Sequence, residues 1–205
     1  MPNYNHLAWI YDWLAKIVFG RKQELATQAY LRIISDKAKI LVVGGGTGKI
    51  IDYLGNLDKQ LEVDFVEQSA NMIAYAKKRE ALHLKINFYH QSILDFKTAD
   101  YDVILTNFFF DQFSQGQAQF ILRHLKPKLR SNGRLIFSDF INTNHIWDRL
   151  VTQLMFYFFQ LTTNIRTNRF PPYDLIFYRL GFYAVSSQKI SRNILATTYS
   201  LVLPN

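Results

Sequence analysis

ILVVGGGTGKI, Ile40 to Ile50, runs four apolar residues into three consecutive glycines, a threonine and a fourth glycine before a helix-compatible pattern resumes. Glycine reaches positive φ and lets another molecule approach the main chain, so this run between a buried strand and a helix start reads as a ligand-facing loop. A tight strand-to-helix turn with no ligand is the plainer alternative. A dinucleotide fingerprint G-x-G-x-x-G opening at Gly44 needs Gly or Ala at position 49, and Lys49 stands there. The spacing present is G-x-G-x-G, carried by Gly44, Gly46 and Gly48. At the end of the next strand, in VDFVEQS, Glu67 stands where an acidic side chain accepts both hydroxyl hydrogens of a ribose. Its alternative role is to cap the helix that follows.

Working outward, short β-branched runs alternate with helix-period segments, the signature of a parallel sheet covered on both faces. Helical stripes are expected over 3–19 and 23–34. A strand at 39–43, a helix at 48–57, a strand at 61–66 and a helix at 70–79 come next. Strands at 84–90 and 101–107 precede a helix capped by Ser114 that runs to 129, with Ala118, Ile121, Leu122 and Leu125 on one face. A fifth strand is expected over 133–139. After Phe140 an aromatic-rich helical stretch leads to a helix opened by Pro171 and Pro172 and closed by Gly181. Strands at 182–189 and 193–203 are separated by only a few residues and pair as an antiparallel hairpin. The expected fold is α/β: five parallel strands plus a C-terminal antiparallel β-hairpin, with helices on both faces. It forms a single domain over 1–205, divided into N-terminal helices (1–38), a core (39–140), substrate-side helices (141–181) and the terminal hairpin (182–205).

Composition limits the partners. The 24 Lys and Arg against 16 Asp and Glu leave a formal charge of +8, which permits anionic partners without choosing among them. The chain has no cysteine, which excludes a disulfide framework and a thiolate metal site, and no metal site is expected. The opening MPNYNHLAWIYDW lacks the pattern of a secretory signal, so the expected location is cytoplasmic. The apolar stretch VTQLMFYFFQLTTNI (151–165) is interrupted by Gln and Thr and falls short of the ~20 residues that cross a bilayer.

With these segments in hand, the chain resembles the class I S-adenosylmethionine-dependent methyltransferases. The resemblance rests on ILVVGGGTG, VDFVEQSANMIAYAKKR, INFYHQSILDF, YDVILTNFFFDQF and LKPKLRSNGRLIFSDF, in that order. It implies a Rossmann-like methyltransferase sheet and S-adenosylmethionine as cofactor. By the same resemblance the glycine loop, Gly44, Gly45, Gly46, Thr47 and Gly48, passes beneath the methionine portion and ribose. Glu67 then holds the ribose hydroxyls, Gln68 borders the adenine, Ser92 and Ile93 face its ring, and Asn107 lies beside the methionine portion. Two positions depart from the family pattern: Val42 and Ser92 stand where many members carry carboxylates. The Ser92 hydroxyl can still bond an amino group, and the Ile93 N–H a ring nitrogen. YNHLAWIYDWLAKIVFGRK is similar to the opening of quinone-biosynthesis-type methyltransferases, which places Tyr11 on a helix over the cofactor, its hydroxyl donating to the cofactor carboxylate. A core role for Tyr11 is the competing reading.

Transfer from a sulfonium needs chiefly in-line alignment, because the cofactor brings the activated group. An acceptor that must lose a proton needs a base, and His6, Asp111, Asp139 and His145 are the candidates, each with a surface or capping alternative. Trp9, Phe108, Phe110, Phe113, Trp147 and Phe156 form a pocket lining suited to a small hydrophobic or aromatic acceptor, quinone-like or lipid-like. The alternatives are an RNA or protein methyltransferase, or a non-catalytic S-adenosylmethionine-binding protein. No N-P-P-Y-type tetrapeptide follows the fourth strand, which counts against nucleic acid. The stretch 151–165 leaves a homodimer contact or a peripheral membrane contact open. Basic clusters at Lys77, Lys78 and Arg79 and at Arg123, Lys126, Lys128 and Arg130 read as solvated helix faces.

Overall fold

In a parallel sheet covered on both faces, the strands are buried on both sides and read as continuous apolar runs. The KILVV strand, buried at every residue after its first, meets that condition and sits in the middle of the five parallel strands. The computed structural model describes residues 21–146, 153 and 169–201. Among these, the strands are β1 (Lys39–Val43), β2 (Leu61–Glu67), β3 (Leu84–His90), β4 (Tyr101–Asn107), β5 (Leu129–Phe140), β6 (Phe182–Ser191) and β7 (Ile194–Leu201). The helices are α1 (Arg21–Gln28), α2 (Lys49–Gly55), α3 (Ala70–Ala76), α4 (Gln115–Leu125) and α5 (Tyr173–Arg179).

The strands lie in the order β3-β2-β1-β4-β5-β7-β6. The first five are mutually parallel, and β7 runs antiparallel to both β5 and β6, so the hairpin is present with its second strand inserted between the sheet and its first. One apolar layer joins Leu31, Ile34, Ile51, Leu54 and Ala76 to Val42, Leu105 and Ile136. The other joins Leu122, Leu125, Ile176 and Phe177 to Leu41, Ile104 and Phe137. Helices α2 and α3 therefore cover one face, and α4 and α5 the other. No helix among the described residues is long and apolar enough to cross a membrane.

Several boundaries differ from the sequence expectation for local reasons. The helix expected over 23–34 breaks after Gln28 into a separate 3₁₀ turn, Leu31–Ile33. Side chains three apart eclipse in that geometry, which suits Leu31 and Ile34, both buried. Helix α4 has the full capping box, with the Gln117 N–H donating to the Ser114 hydroxyl and the Ser114 N–H to the Gln117 side chain. It stops at Leu125 rather than 129 because Pro127 cannot continue it. Helix α3 tightens into a turn after Ala76, with the Arg79 N–H donating to the Ala76 carbonyl. Strand β5 starts at Leu129, opposite Tyr101, earlier than expected. The expected helix over 3–19, with His6, Trp9 and Tyr11, and the aromatic stretch with Trp147 and Phe156 lie outside the described residues.

A buried carboxylate lies midway along β2. Asp64 on β2 accepts 2.6 Å from the Tyr101 hydroxyl and 2.9 Å from the Asn87 amide. Burial and this carboxylate both raise the Tyr101 pKa, so the phenol stays a donor. Removing a donor to a buried charged acceptor costs about 1.5–3 kcal/mol. Tyr101→Phe is expected to lower unfolding free energy by that amount in urea titration, with Asn87→Ala additive only in part because the two share one acceptor.

Candidate functional site

The main chain turns sharply where β1 ends. Gly44 has φ +62°, and a Cβ there would lie 2.3 Å from the Phe109 ring. The glycine therefore lets the loop after β4 press against the loop after β1. Gly46, at φ +56°, would place a Cβ in open space with nothing within 4 Å, so its exposed backbone can receive another molecule. Its N–H donates 3.0 Å to Oε2 of Glu67, and the Ser69 N–H donates 2.9 Å to Oε1. A carboxylate has about four acceptor positions, so two remain for incoming hydroxyls.

Next to Glu67, Gln68 is exposed and its carbonyl lies 3.0 Å from Nε2 of His90, which ends β3. Ser92 accepts the Leu94 N–H through its hydroxyl oxygen, which leaves the hydroxyl hydrogen to donate; the Ile93 side chain is buried. Glu67, Gln68, Ser92 and Ile93 thus follow the C-terminal ends of β2 and β3 as a shelf.

On the other side of the loop is a cavity of about 180 Å³. Gly44 to Thr47, Val42, Leu105, Asn107 and Phe108 line it, together with Gln23, Glu24 and Thr27 of α1 and Lys49 and Tyr53 of α2. It is smaller than the roughly 300 Å³ of a small-molecule pocket, so it has room for only part of such a molecule. Val42 packs opposite Phe65 and Leu105, so an apolar residue there suits its apolar neighbours. The buried Oδ1 of Asn107 has no hydrogen-bond partner and can accept one.

The loop after β4 forms an aromatic wall. Phe108 adopts φ +51°, a region few non-glycine residues enter, and its N–H donates 2.7 Å to the Ser138 carbonyl. Its ring packs on Phe140, and Phe109 packs on Phe113. Phe110, expected in the acceptor lining, is instead fully buried against Phe137 and supports the wall from behind. Asp139 holds this loop, accepting 2.9 Å from the Phe110 N–H and 2.7 Å from the Phe140 N–H. Asp111 is buried too, with Oδ2 unpartnered. Burial pushes the Asp111 carboxyl up to about 7. Asp139 is held well above the ordinary carboxylate range by burial and then by the Asp111 charge. The two acids are therefore buried close enough for each to feel the other's charge. His145, partly buried, donates its backbone N–H to the Thr143 hydroxyl. None of Asp111, Asp139 and His145 lines the cavity.

A family model for a methyltransferase domain matches residues 41–135, the segment from β1 into β5 that carries the loop, the shelf and the aromatic wall. Over this segment the chain carries a methyltransferase domain. The chain is 29% identical over 117 residues to carboxy-S-adenosyl-L-methionine synthase of Campylobacter jejuni, covering 57% of the chain and 50% of the relative. It is 30% identical over 141 residues to malonyl-[acyl-carrier protein] O-methyltransferase of Bacillus cytotoxicus, covering 68% and 48%. The chain spans about half the length of the curated relatives it matches. In fold it is similar to DhpI, solved as a complex with SAH, at a TM-score of 0.71 and 16% identity over 97% of this chain and 93% of that one. It is also similar to the Burkholderia thailandensis 1,6-didemethyltoxoflavin-N1-methyltransferase, at a TM-score of 0.64 and 17% identity over 98% and 90%.

Sequence reasoning missed the cavity residues of α1 and α2. Gln23 and Thr27, and Lys49 and Tyr53, are pairs four apart on one helix face. That spacing next to the glycine loop was the available signal.

The buried acids predict a pH signature. A carboxyl whose folded pKa is raised binds its proton more tightly folded than unfolded, so stability falls as pH rises from about 4 through 7. Asp111→Asn removes this loss. The difference in melting temperature between variant and wild type is expected to shift in the variant's favour from pH 5 to pH 8, and a constant difference would place the titration elsewhere.

Proposed function

We propose that this domain binds S-adenosylmethionine and transfers its methyl group to a small hydrophobic acceptor. One observation carries the reading: the Glu67 carboxylate keeps two acceptor positions beside the open Gly46 backbone, with the shelf on one side and the cavity on the other. The cofactor, when bound, supplies a sulfonium-activated methyl group for in-line displacement. Glu67 accepts from the ribose hydroxyls. Ser92 and the Ile93 N–H meet the adenine edge, and Gln68 borders it. The cavity takes the methionine end, where Glu24 and Lys49, opposite charges on separate helices, suit a zwitterion. Phe108 bounds the side toward the acceptor and favours an apolar one. With Asp111 and Asp139 buried away from the cavity, the described residues promote transfer by alignment and exclusion of water rather than by a base.

The name of the Campylobacter relative raises a second reading, production of a carboxylated S-adenosylmethionine. An added carboxylate needs a cation of its own. Lys49 is the cation among the described cavity residues, and in this reading the methionine carboxylate would take it. The lining therefore favours ordinary S-adenosylmethionine.

Calorimetry with S-adenosylhomocysteine, beside NADH as a control, tests the cofactor. Micromolar binding is expected, weakened at least tenfold by Glu67→Ala, a loss of about 1.4 kcal/mol or more. Glu67→Gln, which keeps one acceptor oxygen, falls between. Wild-type protein that binds NADH and not the homocysteine product would overturn the assignment.

A further inference from the structure

Three basic residues end the α3 segment, and they part company in the fold. Nζ of Lys77 lies 5.9 Å from the Phe88 ring centroid and Nζ of Lys78 lies 5.5 Å from that of Tyr75, both on exposed residues. Arg79 turns back toward the glycine loop. Its Nε–H donates 2.7 Å to the Thr47 carbonyl, and Nη1 bonds the Asp52 carboxylate in the first turn of α2. Its side chain is only 25% exposed, although it ends a surface turn.

From these contacts we propose that Arg79 is a positioning residue for the cofactor: it acts through the Thr47 carbonyl, setting the glycine loop before any ligand arrives. The loop is then fixed from two sides. Glu67 takes the Gly46 N–H, and Arg79 holds the carbonyl of the next residue, so the exposed Gly46 backbone is gripped at both ends. The end of α3 abuts the loop a second time, since a Cβ on Gly48 would lie 2.8 Å from the Ala76 Cβ. The guanidinium suits this job because it is always charged and planar, with donors in a fixed fork that reach a carbonyl and a carboxylate together. A lysine in its place keeps the charge and loses the fork. The inference rests on the cofactor reading above for its binding consequence, while its effect on the loop does not.

Two measurements test it. In ligand-free protein, hydrogen exchange at the Gly46 to Gly48 amides is expected to speed up in Arg79→Ala, with the α4 amides unchanged. In calorimetry, affinity for S-adenosylhomocysteine is expected to fall about tenfold in Arg79→Ala and less in Arg79→Lys, with Lys78→Ala like wild type. Unchanged loop exchange and unchanged affinity in Arg79→Ala would overturn the proposal. Faster exchange throughout the domain would also overturn it, since Arg79 would then be a general stabiliser. If wild-type protein fails to bind the homocysteine product, the cofactor reading falls, and loop exchange still decides the role of Arg79.

Discussion

The site depends on a carboxylate that bonds main chain before it meets a ligand. Glu67 ends β2, and its two oxygens accept from Gly46 in the neighbouring loop and from Ser69 at the start of α3. These bonds join three pieces of chain: the loop after β1, the end of β2 and the cap of the next helix. Ser69 in turn accepts the Met72 N–H through its hydroxyl, so the carboxylate also orients a helix start. The side chain proposed to take the ribose thus also sets the main-chain surface beside it.

A second acid repeats the arrangement on the other side of the sheet centre. Asp139, in β5, takes the N–H groups of Phe110 and Phe140 and so fixes the aromatic loop after β4. Exposure separates the two roles. Glu67 is partly open and keeps acceptor positions to offer, whereas Asp139 is fully buried and enclosed beside Asp111. The two loops then meet directly, Phe109 against Gly44, so the aromatic wall packs on the glycine loop.

Much of this was legible in the residues. The apolar run before the glycines, the acid at the end of the next strand, Ser114 three residues before Gln117 and the short link between the last strands each carry a local physical requirement. What could not be read locally is what depends on residues far apart in sequence. Phe110 belongs to the same FFF run as its neighbours, yet burial against Phe137 separates it from them. Asp111 and Asp139 read in sequence as candidate bases, and only the fold shows that both are buried away from the cavity. Glu24 and Tyr53 became site residues because α1 and α2 border one cavity, a tertiary fact with a weak sequence trace.

The insertion of β7 between β5 and β6 bears on the order of assembly during synthesis. β6 hydrogen-bonds in the sheet to β7 alone, so when Phe182–Ser191 leaves the ribosome it has no strand to join. The five parallel strands can gather as they emerge, each near its predecessor's crossover. The growing sheet nonetheless keeps β5 as a bare edge until Ile194–Leu201 follows. One late segment then covers that edge and recruits β6 in the same step, and the half-made domain waits on it.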